Sequence, residues 1–380
     1  MTTIQQQFFE LLKSGLWGGA PDASLFGADT DWKQLFQIAR RQALPAILLD
    51  GIRLLPEGQR PPKALYLQWC AVALHVEEQH ELLNREIGNL YALLRAQGVE
   101  PVLAKGQGVA QNYRLPHHRQ CGDIDLYLGK RFYELANALL RPEATEEHEE
   151  TFRHTCMHWH GVIVENHRVL ISLSRPLADR RMQRAIASWW EDNAARCPKV
   201  KVGETLVSVP PYPFNVAYVL THATMHFLNE GIGLRQVCDW ACLLSNAPHT
   251  KQDKQEAAQL IKDFGLQKSA RVFGALLVNC LGCPREVLPI PFDAKDEKKA
   301  EWLLHDIWSG GNFGRYYAGR AQRPKGYWSG KWYTLTRAVK RCVELGSLAP
   351  GEAFWYPIMV AKNSFLMQWK RLTHRPVATS

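Results

Sequence analysis

The stretch “RQCGDIDLYL”, residues 119 to 128, places two aspartates two positions apart in a largely apolar run. The alternation predicts a strand, and residues two apart on a strand point to the same face. Asp123 and Asp125 would then present both carboxylates together, while Ile124 and Leu126 face a core. Because a buried charge is costly unless something pairs with it, this strand constrains the fold more than any other feature of the chain.

The segments on either side of this strand indicate an alternating order of strands and helices. Upstream, “VEPVLAKG” is typical of a short strand and “GQGVAQNYR” of a glycine turn that opens a helix. Downstream, “RFYELANALLR” has helical spacing. The segment “HGVIVENH” predicts a further strand, with Val164 on one face and Glu165 and His167 on the other. The sequence therefore predicts an α/β core.

Helical patterns flank this core on both sides. Leu83, Ile87, Leu90 and Leu94 recur at heptad-like spacing, and Gly98 stands where that helix would end. After the core, “PFNVAYVLTHATMHFLNEGIGLRQVCDWACLL” predicts two helices around a glycine break. We expect an α+β fold with a mixed sheet and three regions: helices over residues 1–98, the α/β core over 99–205, and helices over 206–380 that become basic towards the end.

The positive charge of the chain is concentrated near its end. Lys and Arg total 46 against 37 Asp and Glu, a net charge of +9, and the part from Ile307 onwards has 12 basic and 2 acidic residues. Such a field favours a polyanionic partner such as a nucleotide or a nucleic acid; a basic solvated face is the alternative. We interpret “RPKGYWSGKWY” as a loop, and the cations and rings of “RYYAGRAQRPKGYW” suit an RNA backbone.

No feature of the sequence indicates a membrane or an oxidising compartment. The opening “MTTIQQQFFELLKSGLWGG” lacks the charged start, long apolar stretch and cleavage site of a secretory signal. No run approaches the roughly 18 apolar residues that span a bilayer. Nine cysteines at irregular spacing fit reduced thiols better than a disulfide framework. We therefore predict a cytoplasmic protein with no membrane partner.

The paired aspartates point to a divalent metal site. Two carboxylates this close repel each other and would hold a proton between them unless a cation neutralised both. Oxygen ligands of this kind select Mg²⁺ or Mn²⁺, which usually also take oxygens from a substrate phosphate. Glu165 is the best-placed third carboxylate, so we assign Asp123, Asp125 and Glu165 as catalytic and metal-binding residues. The alternative is a set of solvated acids on strand surfaces or edges.

The stretch “AKGQGVA” supplies a lysine and two glycines between a strand and a helix, which suits a nucleotide phosphate. Lys105 would add a point charge there, and Gly106 and Gly108 would let backbone amides approach the anion. We place Arg119 and Gly122 in the same nucleotide site, Gly122 because it leaves room beside the aspartates. Arg119 has the alternative of pairing with a neighbouring acid.

Three segments together resemble the uncharacterised nucleotidyltransferase family of bacteria, within the DNA polymerase β-like superfamily. That family has a Lys-Gly turn and helix, an Arg-x-x-Gly-Asp-Ile-Asp-Leu strand and a Val-Glu-x-His strand. Here these are Lys105 and Gly106, Arg119 to Leu126, and Val164 to His167. The resemblance implies a nucleotidyltransferase fold, magnesium, and transfer of a nucleoside monophosphate from an NTP to a hydroxyl acceptor with release of pyrophosphate.

The acceptor is open among RNA, a protein and a small molecule. An RNA-modifying toxin of the same fold is one alternative function, and a non-catalytic nucleotide-binding or toxin–antitoxin interaction module is another. A metal-dependent phosphohydrolase is a third, which would release inorganic phosphate in place of pyrophosphate. The three carboxylates argue against a pure binding module, since binding alone does not need them together.

Several histidines and one charged pair allow more than one interpretation. His154, His158, His160 and His167 suggest either a zinc site or surface and supporting roles, and the second is preferred because no paired cysteines accompany them. “HATMH” lacks the glutamate of the zinc-protease motif and is interpreted as a packed helix face. Arg235 and Asp239 in “RQVCD” have the spacing of an intrahelical ion pair. The alternative interpretation is that both residues form a wall of the active cleft.

Overall fold

Four helices precede the first strand, as the apolar spacing predicts. A computed structural model of the protein describes residues 1–148, 153–190, 194, 197–317, 324 and 326–373. The four helices are α1 (Thr3–Trp17), α2 (Trp32–Arg41), α3 (Pro45–Arg53) and α4 (Lys63–Arg95).

The last of these, α4, is the longest helix before the sheet and packs on it. Its residues Leu83, Ile87, Leu90 and Leu94 are buried, which confirms the heptad-like pattern. The helix ends in a tight turn at Gly98, whose φ is +70°, and the amide of the next residue bonds the Leu94 carbonyl at 3.0 Å. A glycine adopts this left-handed conformation without the steric cost of a side chain.

In the described part of the chain, seven strands form one mixed sheet, which confirms the predicted α+β fold. They are β1 (Val102–Ala104), β2 (Asp123–Tyr127), β3 (Ala144–His148), β4 (His154–Trp159), β5 (Val162–His167), β6 (Lys199–Val202) and β7 (Thr205–Ser208). Their order across the sheet is β3-β4-β5-β2-β1-β7-β6. The pairs β2–β5 and β1–β7 are parallel, and the other neighbours are antiparallel.

Where the structure describes the connections between these strands, they contain three α-helices: α5 (Gly106–Ala110), α6 (Gly129–Leu140) and α7 (Pro176–Trp190). α5 is shorter than “GQGVAQNYR” suggests, because the chain turns after Ala110, where the amide of Tyr113 bonds the Ala110 carbonyl at 2.9 Å. A short 3₁₀ turn, Pro116–His118, then leads towards β2. This connection brings the segment that carries Arg119 to the sheet.

The two faces of the sheet have different surroundings. Ile124, Leu126 and Val164 lie in an apolar cluster with Leu90 and Leu94 of α4. Residues next to them in sequence point the other way, as the period of two predicts. The acidic face of β2 and β5 is therefore turned away from α4 and towards the helices that follow the sheet.

Among the described residues after the sheet, seven α-helices follow one another: α8 (Tyr212–Asn229), α9 (Leu234–Asn246), α10 (Lys251–Asp263), α11 (Gln267–Leu281), α12 (Ala294–Gly310), α13 (Tyr327–Leu345) and α14 (Pro350–Thr373). The break expected inside the first helical segment separates α8 from α9. The loop expected over “RPKGYWSGKWY” is wrong from Tyr327 onwards, where α13 begins. Its earlier positions Arg323 and Lys325, and Arg320 of the same basic segment, lie outside the described residues.

All nine cysteines are free thiols. None of the helices in the described ranges combines the length and the apolarity that crossing a bilayer requires.

Candidate active site

Three carboxylates meet on the face of the sheet that turns away from α4. In the parallel pair of β2 and β5, Asp125 lies directly opposite Glu165, and Asp123 lies opposite Ile163. Because side chains two apart on a strand share a face, Asp123 joins the other two. All three line one cavity of about 260 Å³. The structure thus brings together the three residues that the sequence assigns to the metal.

The rest of the cavity wall comes from α8, α9 and the segments that precede β2. Of the residues assigned to the nucleotide, four line it: Lys105, Gly106, Arg119 and Gly122. Gly108 does not line it. A Cβ added to Gly108 would lie 3.1 Å from Cγ1 of Val209 and 3.3 Å from the Leu103 carbonyl, so close packing accounts for a glycine there.

Lys105 contacts the carboxylate centre directly. Its Nζ lies 2.9 Å from Oδ1 of Asp125 and 3.1 Å from Nε2 of His222. Burial alone would lower the pKa of Lys105, but the charge of Asp125 outweighs it and holds that pKa above the usual value. The backbone of Lys105 has φ +53°, a costly conformation for a residue with a side chain. The turn after β1 therefore fixes a permanent cation beside Asp125.

His167 is a site residue that the sequence interpretation left in a supporting cluster. Its Nε2 lies 2.9 Å from Oδ1 of Asp125 and 3.4 Å from Oε2 of Glu165. Burial would lower the pKa of His167, yet hydrogen bonds with the two carboxylates raise it. The sequence contained the information for this role, because His167 follows Glu165 by two residues on a strand and therefore shares its face.

In the described ranges, His160 and His167 have different partners. His160 has its ring nitrogens 3.1 Å from Glu86 and 2.7 Å from Glu143, whereas His167 contacts Asp125. Whether these histidines hold a metal stays a prediction of the sequence.

Asp123 and Asp125 have opposite electrostatic surroundings. Burial, and after it the negative charge of Asp125, raise the pKa of Asp123 to about 6. Burial would raise that of Asp125 too, but Lys105 and the hydrogen bond with His167 hold the pKa of Asp125 well below its usual range. Among the described residues Asp123 has no hydrogen-bond or ion-pair partner. The charges of Lys105 and Arg235 act on Asp123 without contacting it and do not outweigh its burial.

The helix α8 adds two neutral histidines opposite the carboxylates. Burial and the charge of Lys105 hold the pKa of His222 well below its usual value and lower that of His226 to about 4. Both imidazoles line the cavity, and their ring centroids are 4.3 Å apart. The expectation of a merely packed helix face therefore understates their position, since they form a wall of the site.

Arg119 makes a buried, two-pronged ion pair with a residue of α9. Its Nε and NH2 lie 2.7 Å from the two oxygens of Asp239. The hydroxyl of Tyr113 donates to the same carboxylate at 2.7 Å. Burial would raise the pKa of Asp239, but the charge of Arg119 lowers it. Of the two roles considered for Arg119, pairing with a neighbouring acid is the one the contacts show.

Arg235, one turn before Asp239, has no carboxylate partner in the described ranges. Its NH1 donates to the backbone carbonyl of Gln120, and its Nε is buried without a hydrogen-bond partner among the described residues. Both Arg235 and Asp239 line the cavity. They form a wall of the cleft, which was one of the two interpretations of their spacing.

A second cavity, of about 360 Å³, adjoins the first. The two share the side chains of Lys105, Glu165, His222 and His226. The second is also lined by His154, His167 and Ser172. The carboxylate centre therefore lies between two cavities and is open to ligands from both.

The residues present fit a hard divalent cation. Carboxylate oxygens of Asp125 and Glu165 lie within 4.8 Å of each other, and Asp123 opens onto the same cavity. His167 is a hydrogen-bond partner of Asp125 in this arrangement. A centre rich in carboxylate oxygens suits Mg²⁺ or Mn²⁺. A cation there would also offset the burial and the repulsion by Asp125 that together raise the pKa of Asp123.

These features define an α+β protein with a nucleotidyltransferase-type core and a carboxylate centre between two cavities. The family model described as “Uncharacterised nucleotidyltransferase” matches residues 28–282. That range is more than half of the 380 residues, so the chain belongs to this family. No match was found among curated proteins or among solved structures. Membership supports nucleotidyl transfer as the general class of activity, with an NTP as substrate.

Proposed function

We propose that this protein is a metal-dependent nucleotidyltransferase that moves a nucleoside monophosphate from an NTP to a hydroxyl acceptor and releases pyrophosphate. One observation carries the proposal: Asp125 lies opposite Glu165 in a parallel strand pair, with Asp123 on the same face and a cavity beside them. We also propose membership of the DNA polymerase β-like superfamily, with the core over residues 99–205.

In this proposal the three carboxylates hold Mg²⁺ or Mn²⁺. A bound divalent cation neutralises the carboxylates and the phosphate charge and polarises the reacting phosphate. Lys105 and His167 fix Asp125 from two sides, so that this carboxylate keeps one orientation. Preorganised groups of this kind act on the transition state without reorganising during the reaction.

The NTP occupies the cavity of about 260 Å³. Its wall carries three cations, but Lys105 is paired with Asp125 and Arg119 with Asp239. Arg235 is the cation with no carboxylate partner among the described residues, and its Nε is unpaired there. We therefore assign Arg235 as the main side-chain contact of the triphosphate, a residue that the sequence analysis named for an ion pair or a wall of the cleft but not among the nucleotide-binding residues. Arginine binds phosphate oxygens with two parallel hydrogen bonds.

The acceptor enters from the second cavity, which shares Lys105 and Glu165 with the first. Its hydroxyl oxygen attacks the α-phosphorus in line, the new O–P bond forms as the bond to the β-phosphate breaks, and pyrophosphate leaves. The hydroxyl proton passes to a carboxylate of the centre, for which Asp123 has no competing partner among the described residues. RNA, protein and small molecules remain the acceptor classes to test.

Labelled nucleotides test this function. The protein is incubated with Mg²⁺, a cell lysate and each NTP labelled at either the α- or the γ-phosphate. We expect the α-label alone to appear on an acceptor and the γ-label to appear in pyrophosphate. Release of inorganic phosphate from the γ-label, with no labelled acceptor, would identify a phosphohydrolase. Binding of NTP with no turnover would identify a binding module.

A further inference from the structure

A second cluster of titratable side chains lies apart from the carboxylate centre. It joins the 3₁₀ turn Pro116–His118 to α4 and α3. Ligand atoms of Glu77, His117 and His118 lie within 4.8 Å of one another. Two imidazoles and a carboxylate at this spacing form a compact set of nitrogen and oxygen donors.

His118 is held from both sides at the centre of this cluster. It is only 2% exposed. Its Nδ1 lies 2.6 Å from Oδ2 of Asp50, and its Nε2 lies 2.7 Å from Oε1 of Glu77. An imidazole that binds a metal through one nitrogen usually donates from the other to a carboxylate, which fixes its tautomer and orientation. Asp50, itself 4% exposed, is placed for that outer role.

His80 supplies an independent observation at the same place. It follows Glu77 by one helical turn on α4 and is 2% exposed. Its Nδ1 has no hydrogen-bond partner in the part of the chain that the structure describes. Leaving such a nitrogen buried and unpaired is costly. The charges of His117 and His118 act on this imidazole, so His80 lies near the cluster, and a water bound to an ion there is the partner that we propose for its Nδ1.

We propose that Glu77, His117 and His118 bind a divalent transition metal, zinc by preference, with Asp50 orienting His118 and water in the fourth position. Imidazole nitrogen with a carboxylate is a zinc donor set, whereas Mg²⁺ prefers oxygen ligands alone. Ligand atoms around a tetrahedral zinc lie about 3.4 Å apart at the usual bond lengths. Glu77 is about one-third exposed, so its carboxylate is free to move outwards by the small distance required.

The site would brace the segment that leads into the carboxylate centre. The ligands come from α4 and from the turn that immediately precedes Arg119, and Asp50 adds α3. Arg119 and Gly122, which follow in the same segment, line the nucleotide cavity. An ion at Glu77, His117 and His118 therefore links the segment that precedes β2 to α4 directly and to α3 through Asp50. Its role is to position Arg119 and Gly122 at the cavity. The proposal does not depend on the nucleotidyltransferase function.

Zinc titration of the full chain tests the site. The protein is freed of metal with a chelator, and Zn²⁺ is titrated by calorimetry with Mg²⁺ present in excess to occupy the carboxylate centre. His117→Ala and Glu77→Gln remove ligands that are not fully buried. His75→Ala, an exposed histidine of α4 next to Glu78, is the matched control. Glu165→Gln reports any zinc bound at the carboxylate centre.

We expect the wild type, His75→Ala and Glu165→Gln to share one tight zinc site that His117→Ala and Glu77→Gln lose. Asp50→Asn should weaken it about 10- to 100-fold, as removal of an orienting carboxylate does. With Co²⁺ in place of zinc, the wild type should show the visible absorption bands of a tetrahedral site, and His117→Ala should not. Equal zinc uptake by the wild type and His117→Ala would overturn the proposal and leave His118 as a proton bridge between two carboxylates.

Discussion

Asp125 on β2 lies directly opposite Glu165 on β5, and Lys105 and His167 both reach Oδ1 of Asp125 at 2.9 Å. Asp125 thus has two direct partners, whereas its neighbour Asp123 has no hydrogen-bond or ion-pair partner in the described ranges and feels the charges of Lys105 and Arg235 only from a distance. Because unlike surroundings give the two aspartates different affinities for protons, the site has an intrinsic asymmetry that can be measured.

Asp123 should make the metal-free protein less stable as the pH rises. Its pKa is raised to about 6 from an ordinary 3.8, so between these values the folded state binds more protons than the unfolded state. Stability from this group is therefore lost as the pH rises through that window. Asp123→Asn has no carboxyl group that titrates at this position, so it does not lose stability in this way. Its free energy of unfolding relative to the wild type should therefore increase between pH 4 and about 6. Urea unfolding in chelator measures this, and a pH-independent difference would contradict it.

Removing the Lys105 ammonium should make the stability of the protein depend on a bound metal ion. Lys105→Met leaves Asp125, which is only 2% exposed, without its cation. Breaking a buried ion pair costs about 3 kcal/mol or more, so the free energy of unfolding should fall by about that amount in chelator. Mg²⁺ should then stabilise Lys105→Met more than the wild type, because the ion replaces the missing charge. Equal stabilisation of both proteins would argue against a cation site at Asp125.

The ion pair of Arg119 and Asp239 should contribute more to the free energy of unfolding than the hydrogen bond from the Tyr113 hydroxyl to Asp239. Asp239→Asn leaves a buried guanidinium unpaired and should lower the free energy of unfolding by about 3–5 kcal/mol. Tyr113→Phe removes one hydrogen bond to the same carboxylate and should cost about 1 kcal/mol. Denaturant unfolding of both variants measures the two losses in the free energy of unfolding. Similar losses in the two would mean that the ion pair contributes little.

Arg235 should bind substrate without supporting the fold. Among the described residues its one hydrogen bond is to the Gln120 carbonyl, and it makes no ion pair there, so Arg235→Ala should leave the unfolding midpoint nearly unchanged. Loss of a charge-assisted contact to the triphosphate should raise the KM for NTP at least about tenfold, since such contacts are worth about 1.5–3 kcal/mol. Arg180→Ala, on the exposed surface of α7, is the control. An unchanged KM in Arg235→Ala would remove this residue from the nucleotide site.

Much of the core followed from local alternation along the chain. The period of two placed Asp123, Asp125 and Glu165 on one face, and the heptad-like leucines placed α4 against the other. Both signals depend only on which residues of one element share a side, so a single sequence contains them.

The contacts that the sequence did not predict depend on how separate elements pack. The bond of Lys105 to Asp125 requires β1 and β2 to be antiparallel neighbours. The pair of Arg119 with Asp239 requires α9 to lie beside the segment before β2. The helix at Tyr327 was missed because glycine and aromatic residues are weak helix formers, and tertiary packing overrides such preferences.

Pyrophosphate release tests the central claim most directly. The initial rate with NTP, Mg²⁺ and lysate acceptors is compared among the wild type, Asp123→Asn, Asp125→Asn and Glu165→Gln. Glu204→Gln is the control, since Glu204 is exposed and pairs only with Lys201 among the described residues. We predict that each variant of the centre loses about a thousandfold in rate, equivalent to ~4 kcal/mol, while the control keeps its rate. A variant of the centre that is folded and releases pyrophosphate at the wild-type rate would contradict the account.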